Sequence, residues 1–166
     1  IKDYVKILED TLVAYSLPPY SGKAGRKTVA TEKFYLFDVG VANALLGRHQ
    51  IEQGTPDFGK ALEHLVFLEI YAKLNYSRSD NLLSYWRTHS QLEVDFIIND
   101  EIAIEVKGTG HVSNSDLKGL RAIRQDIPSI KRTIVVCMEK NNRITQDKIE
   151  IISVHDFFEA LWSGAI

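Results

Sequence analysis

Apolar and polar residues alternate along two neighbouring segments, 92–98 and 102–108. A repeat of two is typical of half-buried strands, and the short polar run at 99–101 predicts a β-hairpin. Its register follows from the pattern, since a slip of one residue would set apolar against polar side chains. A three-residue loop keeps one face apolar. The pairs predicted on that face are Ile98 with Ile102, Phe96 with Ile104 and Val94 with Val106.

The same register sets charged residues against each other on the second face. Asp95 is expected opposite Glu105, and Glu93 opposite Lys107. Like charges placed directly opposite destabilise a sheet, and a divalent cation bound by carboxylate oxygens would offset the repulsion. The pattern leaves a second interpretation open, in which Glu93 pairs with Lys107 while Asp95 and Glu105 are solvated.

The remaining hydrophobic pattern predicts alternating helices and strands around this hairpin. In chain order we expect a helix over 1–17 ended by Pro18, a strand over 33–37, a helix from Asp38 to Gly47, a helix over 57–74, a strand over 82–87, the hairpin, a helix between Ser113 and Pro128, strands over 132–138 and 149–153 separated by a charged loop, and a final helix after Ser153.

The helix predicted over 57–74 is apolar on nearly every side, which is typical of a buried helix. Glu63 interrupts it, because Val66, Phe67 and Ile70 follow at helical spacing on the same stripe. A carboxylate in such a place needs a partner or a cation. An ordinary ion pair, or the positive end of the helix, would also satisfy it. His64 is interpreted as a packing or surface residue.

Composition narrows the class of protein. The 166 residues are 45% hydrophobic and 25% charged, with a formal net charge of −2, as in ordinary globular proteins. There is no apolar run long enough to span a membrane, and the single cysteine, Cys137, favours a cytoplasmic protein without disulfides.

The polar stretch at 48–56 predicts a domain boundary, giving segments 1–50 and 51–166. Because the chain opens on Ile1, we interpret it as a fragment.

A basic, glycine-bearing segment over 20–31 is the second candidate for chemistry. It carries Lys23, Arg26 and Lys27. Its glycines lack the spacing of a phosphate-binding P-loop and follow no strand, so nucleotide binding is rejected there. Two interpretations remain, a basic hairpin that contacts nucleic-acid backbone and a merely solvated loop, which is the commoner case.

Five blocks of sequence carry a resemblance to a known family. They are 33–40 (KFYLFDVG), 61–66 (ALEHLV), 85–88 (YWRT), 93–96 (EVDF) and 104–108 (IEVKG). In this order they resemble the uncharacterised C-terminal domain of prokaryotic AAA+-type ATPases, within the PD-(D/E)XK nuclease-like superfamily. The proline of that superfamily's name is absent, since Val94 precedes Asp95.

The resemblance implies an α/β fold, with a restriction-endonuclease-like mixed β-sheet flanked by helices over 51–166 and a partial winged-helix segment over 1–50. It also implies a catalytic set of Glu63, Asp95, Glu105 and Lys107. The three carboxylates would bind Mg²⁺ or Mn²⁺, and the lysine would orient or deprotonate the attacking water or stabilise developing charge.

The partners implied are DNA or RNA and an N-terminal ATPase module of the same chain, which alone would bind ATP. The alternative is a noncatalytic DNA- or protein-interaction domain regulating the ATPase. A third interpretation is a toxin–antitoxin or defence-system regulator, in which the domain only senses a partner.

Overall fold

The computed structural model describes residues 2–22, 31–78 and 82–166. The helices are α1 (Lys2–Asp10), α2 (Val39–Leu45), α3 (Pro56–Tyr76), α4 (Lys118–Asp126) and α5 (Val154–Ser163), with a 3₁₀ turn (Asn114–Leu117) before α4. The strands are β1 (Ala14–Leu17), β2 (Lys33–Leu36), β3 (Leu83–Arg87), β4 (Glu93–Ile98), β5 (Ile102–Lys107), β6 (Arg132–Cys137), β7 (Arg143–Ile144) and β8 (Glu150–Ser153).

Six of the strands form one mixed sheet in the order β3-β4-β5-β6-β8-β7. β5, β6 and β8 are parallel, and the outer pairings are antiparallel. One hydrophobic cluster joins α3 and α5 to one face of the sheet, and a second joins α4 to the other face. This three-layer arrangement confirms the predicted α/β class with a mixed sheet flanked by helices.

The hairpin forms with the predicted loop. Phe96 pairs with Ile104, and Ile98 pairs with Ile102. The Glu101 N–H donates to the Ile98 carbonyl at 3.0 Å, and Asn99 and Asp100 have φ of 55° and 58°. Two consecutive left-handed residues make a type I′ turn, which matches the right-handed twist of the strands.

A β-bulge in β4 breaks the predicted alternation. Ser84 pairs with Ile97, and Trp86 pairs with Val94. Two residues of β4, Asp95 and Phe96, therefore lie opposite one residue of β3, Tyr85. The extra residue changes the face to which the strand's preceding residues point. Val94 therefore packs in the α4-side cluster, and the prediction that it faces Val106 on a common apolar face is wrong.

The N-terminal segment differs from its prediction. The helix ends at Asp10 instead of continuing to residue 17, and Leu12 has a φ of 58°. Residues 14–17 then form β1, antiparallel to β2, with Ala14 and Leu17 buried. The apolar residues that fit a helical pattern are thus divided between a short helix and a strand. The charged loop after β6 likewise contains the short strand β7, which the pattern did not predict.

The two-stranded β1-β2 ribbon packs on α3 and on the edge of the large sheet. Tyr35 of β2 stacks on Phe67 of α3, with ring centroids 4.0 Å apart and planes 13° apart. The Tyr20 N–H donates to the Tyr85 carbonyl at 2.6 Å, and the Tyr85 N–H donates to the Pro18 carbonyl at 3.1 Å. These contacts bring the first residue of β2, Lys33, to the large sheet.

The other predicted elements occur where the pattern placed them. Asp38 caps α2, accepting from the Val41 N–H at 2.7 Å, and Ser153 caps α5. The basic residues Lys23, Arg26 and Lys27 lie outside the described residues. Within the described part of the chain, no helix combines the length and apolar character needed to cross a membrane.

Candidate functional site

The candidate site lies where β4 begins and β5 ends. Regular pairing of the two strands stops at Phe96 and Ile104. Beyond these residues, the Asp95 side chain replaces a backbone partner on β4, because its Oδ2 accepts a hydrogen bond from the Val106 N–H of β5 at 2.8 Å. Asp95 is 8% exposed. The bulge and this bond together fix a buried carboxylate between the two strands.

Glu105 and Lys107 form the β5 side of the site. The Lys107 Nζ lies 2.6 Å from the Glu105 Oε1. Glu105 is 7% exposed, and its Oε2 has no hydrogen-bond partner among the described residues. Leaving a buried carboxylate oxygen unpaired costs free energy, so an orphaned acceptor marks a place where a ligand would be favourable.

Glu63 on α3 reaches the same site from another layer. Its Oε1 accepts from the Tyr35 hydroxyl at 2.6 Å and from the Lys33 Nζ at 2.9 Å. The carboxylate that interrupts the apolar stripe is therefore satisfied by two polar groups of β2. Neither was identified as a site residue from the sequence.

Lys33 lies at the centre of the acidic residues. Its Nζ is 2.6 Å from the Glu93 Oε1, 2.9 Å from the Glu63 Oε1 and 3.3 Å from the Asp95 Oδ1. Glu93 also lies 3.6 Å from Arg87, whereas Lys107 pairs with Glu105. The sequence-based pairing of Glu93 with Lys107 is therefore wrong.

Burial and crowding of like charges change the proton affinities of the carboxyl groups. Burial raises the pKa of Asp95 above its usual range, and the nearby Glu63 charge raises it further, while Lys33 and the Val106 N–H act in the opposite direction. Burial, followed by the charge of Asp95, also raises the pKa of Glu105. Such shifts arise where a protein holds acids together in a desolvated place, which is common at functional sites.

The pKa values of the two lysines are also raised, although burial acts on them in the opposite direction. Burial alone would lower the pKa of Lys33, but Asp95 and Glu63 outweigh it and raise the pKa above the ordinary lysine value. Burial also opposes the ammonium form of Lys107, and Glu105 again reverses the effect, so its pKa is raised. Both lysines are therefore held as cations beside the acids.

The donor set fits a hard divalent cation, since it combines three carboxylates with an orphaned buried oxygen. The ammonium of Lys33 lies between Glu63 and Asp95, so these two carboxylates are paired with a cation of the chain itself. Elsewhere in the described ranges, three exposed or half-exposed residues at the start of α5 offer ligand atoms within 4.8 Å of one another: His155, Asp156 and Glu159. The carboxylate oxygens of Glu63, Asp95 and Glu105 are not all within 4.8 Å of one another.

The framework around the site is tightly packed. A Cβ on Gly108, which follows β5, would lie 2.9 Å from the Phe58 ring and 3.1 Å from the Gly59 Cα, so the start of α3 approaches the end of β5 closely. The buried His64 bonds through Nε2 to the Leu36 carbonyl at 2.7 Å. That contact confirms the interpretation of His64 as a packing residue.

Comparison with known proteins connects this site to a family. The profile described as "Domain of unknown function (DUF4143)" matches residues 58–157, and that described as "Domain of unknown function (DUF8612)" matches residues 1–52. An uncharacterised protein of Mycobacterium bovis and one of Mycobacterium tuberculosis are each 29% identical over 134 residues. The match covers 79% of this chain and 26% of each relative, and no solved structure matches.

Proposed function

Since the chain belongs to DUF4143, a family of C-terminal domains associated with AAA ATPases, we propose that it is the nuclease-like domain of a longer ATPase. Its reaction would be Mg²⁺- or Mn²⁺-dependent hydrolysis of phosphodiester bonds in DNA or RNA. The observation that carries the proposal is the buried pair of Asp95 and Glu105 at the point where β4 and β5 separate, with one Glu105 oxygen unpartnered. The resemblance to the PD-(D/E)XK superfamily supports it.

The roles follow from the chemistry of the side chains. Asp95 and Glu105 would hold the metal ion, and Glu63 would bind it directly or through water. When bound, the ion would polarise the phosphoryl oxygen and lower the pKa of an attacking water. Lys107 lies next to Glu105, where its ammonium would orient that water or stabilise the charge that develops on the phosphate.

The partners proposed extend beyond this chain. The aligned region is about a quarter of the length of the mycobacterial relatives, which is consistent with a larger protein around it. We propose that ATP binds only to an N-terminal module of that protein. Lys23, Arg26 and Lys27 remain candidates for contact with nucleic-acid phosphates. The single cysteine, which is buried, suits a reducing compartment such as the cytoplasm.

A noncatalytic interaction domain regulating the ATPase is the second candidate. The observation that favours it is the cluster around Lys33, because this ammonium neutralises part of the acidic set without a metal. In that case the acidic residues would be structural. Binding of nucleic acid or a protein partner would then not depend on them.

A cleavage assay separates the two functions. Labelled single- and double-stranded DNA and RNA are incubated with the purified protein and Mn²⁺, with and without a chelator. We expect cleavage that the chelator stops and that Lys107→Met reduces by at least about 100-fold, the usual loss when a group stabilising transition-state charge is removed. Metal binding to this variant should persist.

The matched control is Lys131→Met, which removes an exposed lysine paired with Glu101 on the surface. It should cleave at the wild-type rate. Absence of metal-dependent cleavage in the wild-type protein, together with nucleic-acid binding that Lys107→Met leaves unchanged, would contradict the nuclease proposal and support the interaction domain.

A further inference from the structure

We propose that Lys33 is the resident cation of the acidic site, and that a divalent ion binds there only by displacing it. The inference rests on the proposed function for the identity of the displacing ion. The position of Lys33 does not depend on that function. Its ammonium lies within 3.3 Å of the carboxylates of Glu63 on α3 and of Glu93 and Asp95 on β4.

The geometry makes the two cations mutually exclusive. Lys33 holds its three carboxylate oxygens at 2.6–3.3 Å, which suits hydrogen bonds from an ammonium. Magnesium binds oxygen at about 2.0–2.1 Å and demands near-octahedral geometry. The carboxylates of Glu63 and Asp95, which belong to both the Lys33 cluster and the proposed metal ligands, must therefore close in around the ion, and no room remains between them for the ammonium. Charge acts in the same direction, because the two cations would repel at short range.

The position of Lys33 in the fold allows its ammonium to leave the carboxylates. It is the first residue of β2, and the preceding Glu32 is exposed. Its side chain borders an open groove of about 530 Å³ between β2, α2 and α3. The four-carbon stem of a lysine is flexible, so the ammonium can leave the acids for this groove while the strand stays in place.

Tyr35, two residues along the same strand, has a different role. Its hydroxyl donates to Glu63, and its ring stacks on Phe67, so it is held by packing as well as by the hydrogen bond. This hydrogen bond to Glu63 does not involve Lys33, so it remains when the ammonium leaves. The strand thus contributes one movable cation and one fixed hydrogen-bond donor.

The test compares Mn²⁺ affinity by calorimetry in the wild-type protein, Lys33→Met and Lys33→Arg. Removing the competing ammonium should tighten Mn²⁺ binding at least about 10-fold, because the ion no longer has to break three charge-assisted hydrogen bonds. Arginine keeps the charge and binds carboxylates through a rigid fork, so Lys33→Arg should bind Mn²⁺ no more tightly than wild type. The charge-retaining variant also gives a result if Lys33→Met fails to fold.

Lys60→Met is the matched control, because Lys60 is an exposed lysine of α3 that lines the same groove. Its Mn²⁺ affinity should change less than about twofold, as expected for a screened surface charge. Equal or weaker binding in Lys33→Met, or tighter binding in Lys33→Arg, overturns the displacement alone. Absence of Mn²⁺ binding in every variant overturns the metal site as well, whereas metal binding without cleavage counts only against the nuclease proposal.

Discussion

Asp95→Asn is expected to remove divalent-cation binding and any metal-dependent cleavage while leaving the fold intact. The amide retains an oxygen that can accept from the Val106 N–H, and it removes one charge from a crowded acidic group. Loss of a residue that only hydrogen-bonds to a metal ligand weakens metal binding by about 10–100-fold, so loss of a direct carboxylate ligand should weaken Mn²⁺ binding at least about 100-fold. Calorimetry with Mn²⁺ measures the change.

The control for this variant is Asp126→Asn, which makes the same change at an exposed position at the end of α4. It should bind Mn²⁺ as wild type does. Circular dichroism during heating establishes that both variants fold. An Asp95→Asn protein that is folded and still binds Mn²⁺ with wild-type affinity would contradict the role assigned to Asp95.

Gly119→Ala is expected to cause the largest loss of stability of any single methyl addition that we consider. A Cβ at this position would lie 2.2 Å from the Glu93 carbonyl oxygen, because the start of α4 packs directly on the first residue of β4. The obstacle is backbone, so either the helix or the strand must move. Overpacking of this kind costs about 1–3 kcal/mol, and we expect about 3 kcal/mol from chemical denaturation.

The same variant should also weaken the acidic site, since moving β4 displaces Glu93 and Asp95 together. Gly59→Ala is its matched control, because Gly59 lies inside α3 and an added Cβ meets nothing within 4 Å. Replacing a helical glycine without strain stabilises a protein by about 0.4–1 kcal/mol. Opposite signs for the two substitutions are the predicted result, and equal stabilities would contradict the close contact between α4 and β4.

The hydrophobic pattern predicted the hairpin, whose pairing depends on residues that are close together in sequence. The pairing of Phe96 with Ile104 follows from alternation and from a polar loop of fixed length. The bulge at Asp95 leaves no such signal, because a strand with one extra residue still alternates on each side of it. The prediction that Val94 faces Val106 was wrong because of this bulge. The helix predicted through residue 17 was also wrong, because the i, i+3 spacing of Ala14 and Leu17 favours a helix, whereas pairing with β2 makes this segment a strand.

The candidate site could be predicted from the sequence only in part. Resemblance identified Glu63, Asp95, Glu105 and Lys107, and the fold brings Glu63 of α3 to the other three where β4 begins and β5 ends. Lys33 and Tyr35 are separated from Glu63 by about 30 residues of sequence, and their contacts depend on how the β1-β2 ribbon packs. Alternation in β2 indicates that they share a face, but it does not indicate which surface that face meets.

The most direct test of the account is the location of bound Mn²⁺ on the protein. Substoichiometric Mn²⁺ broadens NMR signals of nearby nuclei, and we predict that the amides of 94–96 and 105–107 broaden first and recover with a chelator. The account is contradicted if broadening is confined to the exposed group at the start of α5, formed by His155, Asp156 and Glu159, while the amides around Asp95 and Glu105 stay sharp.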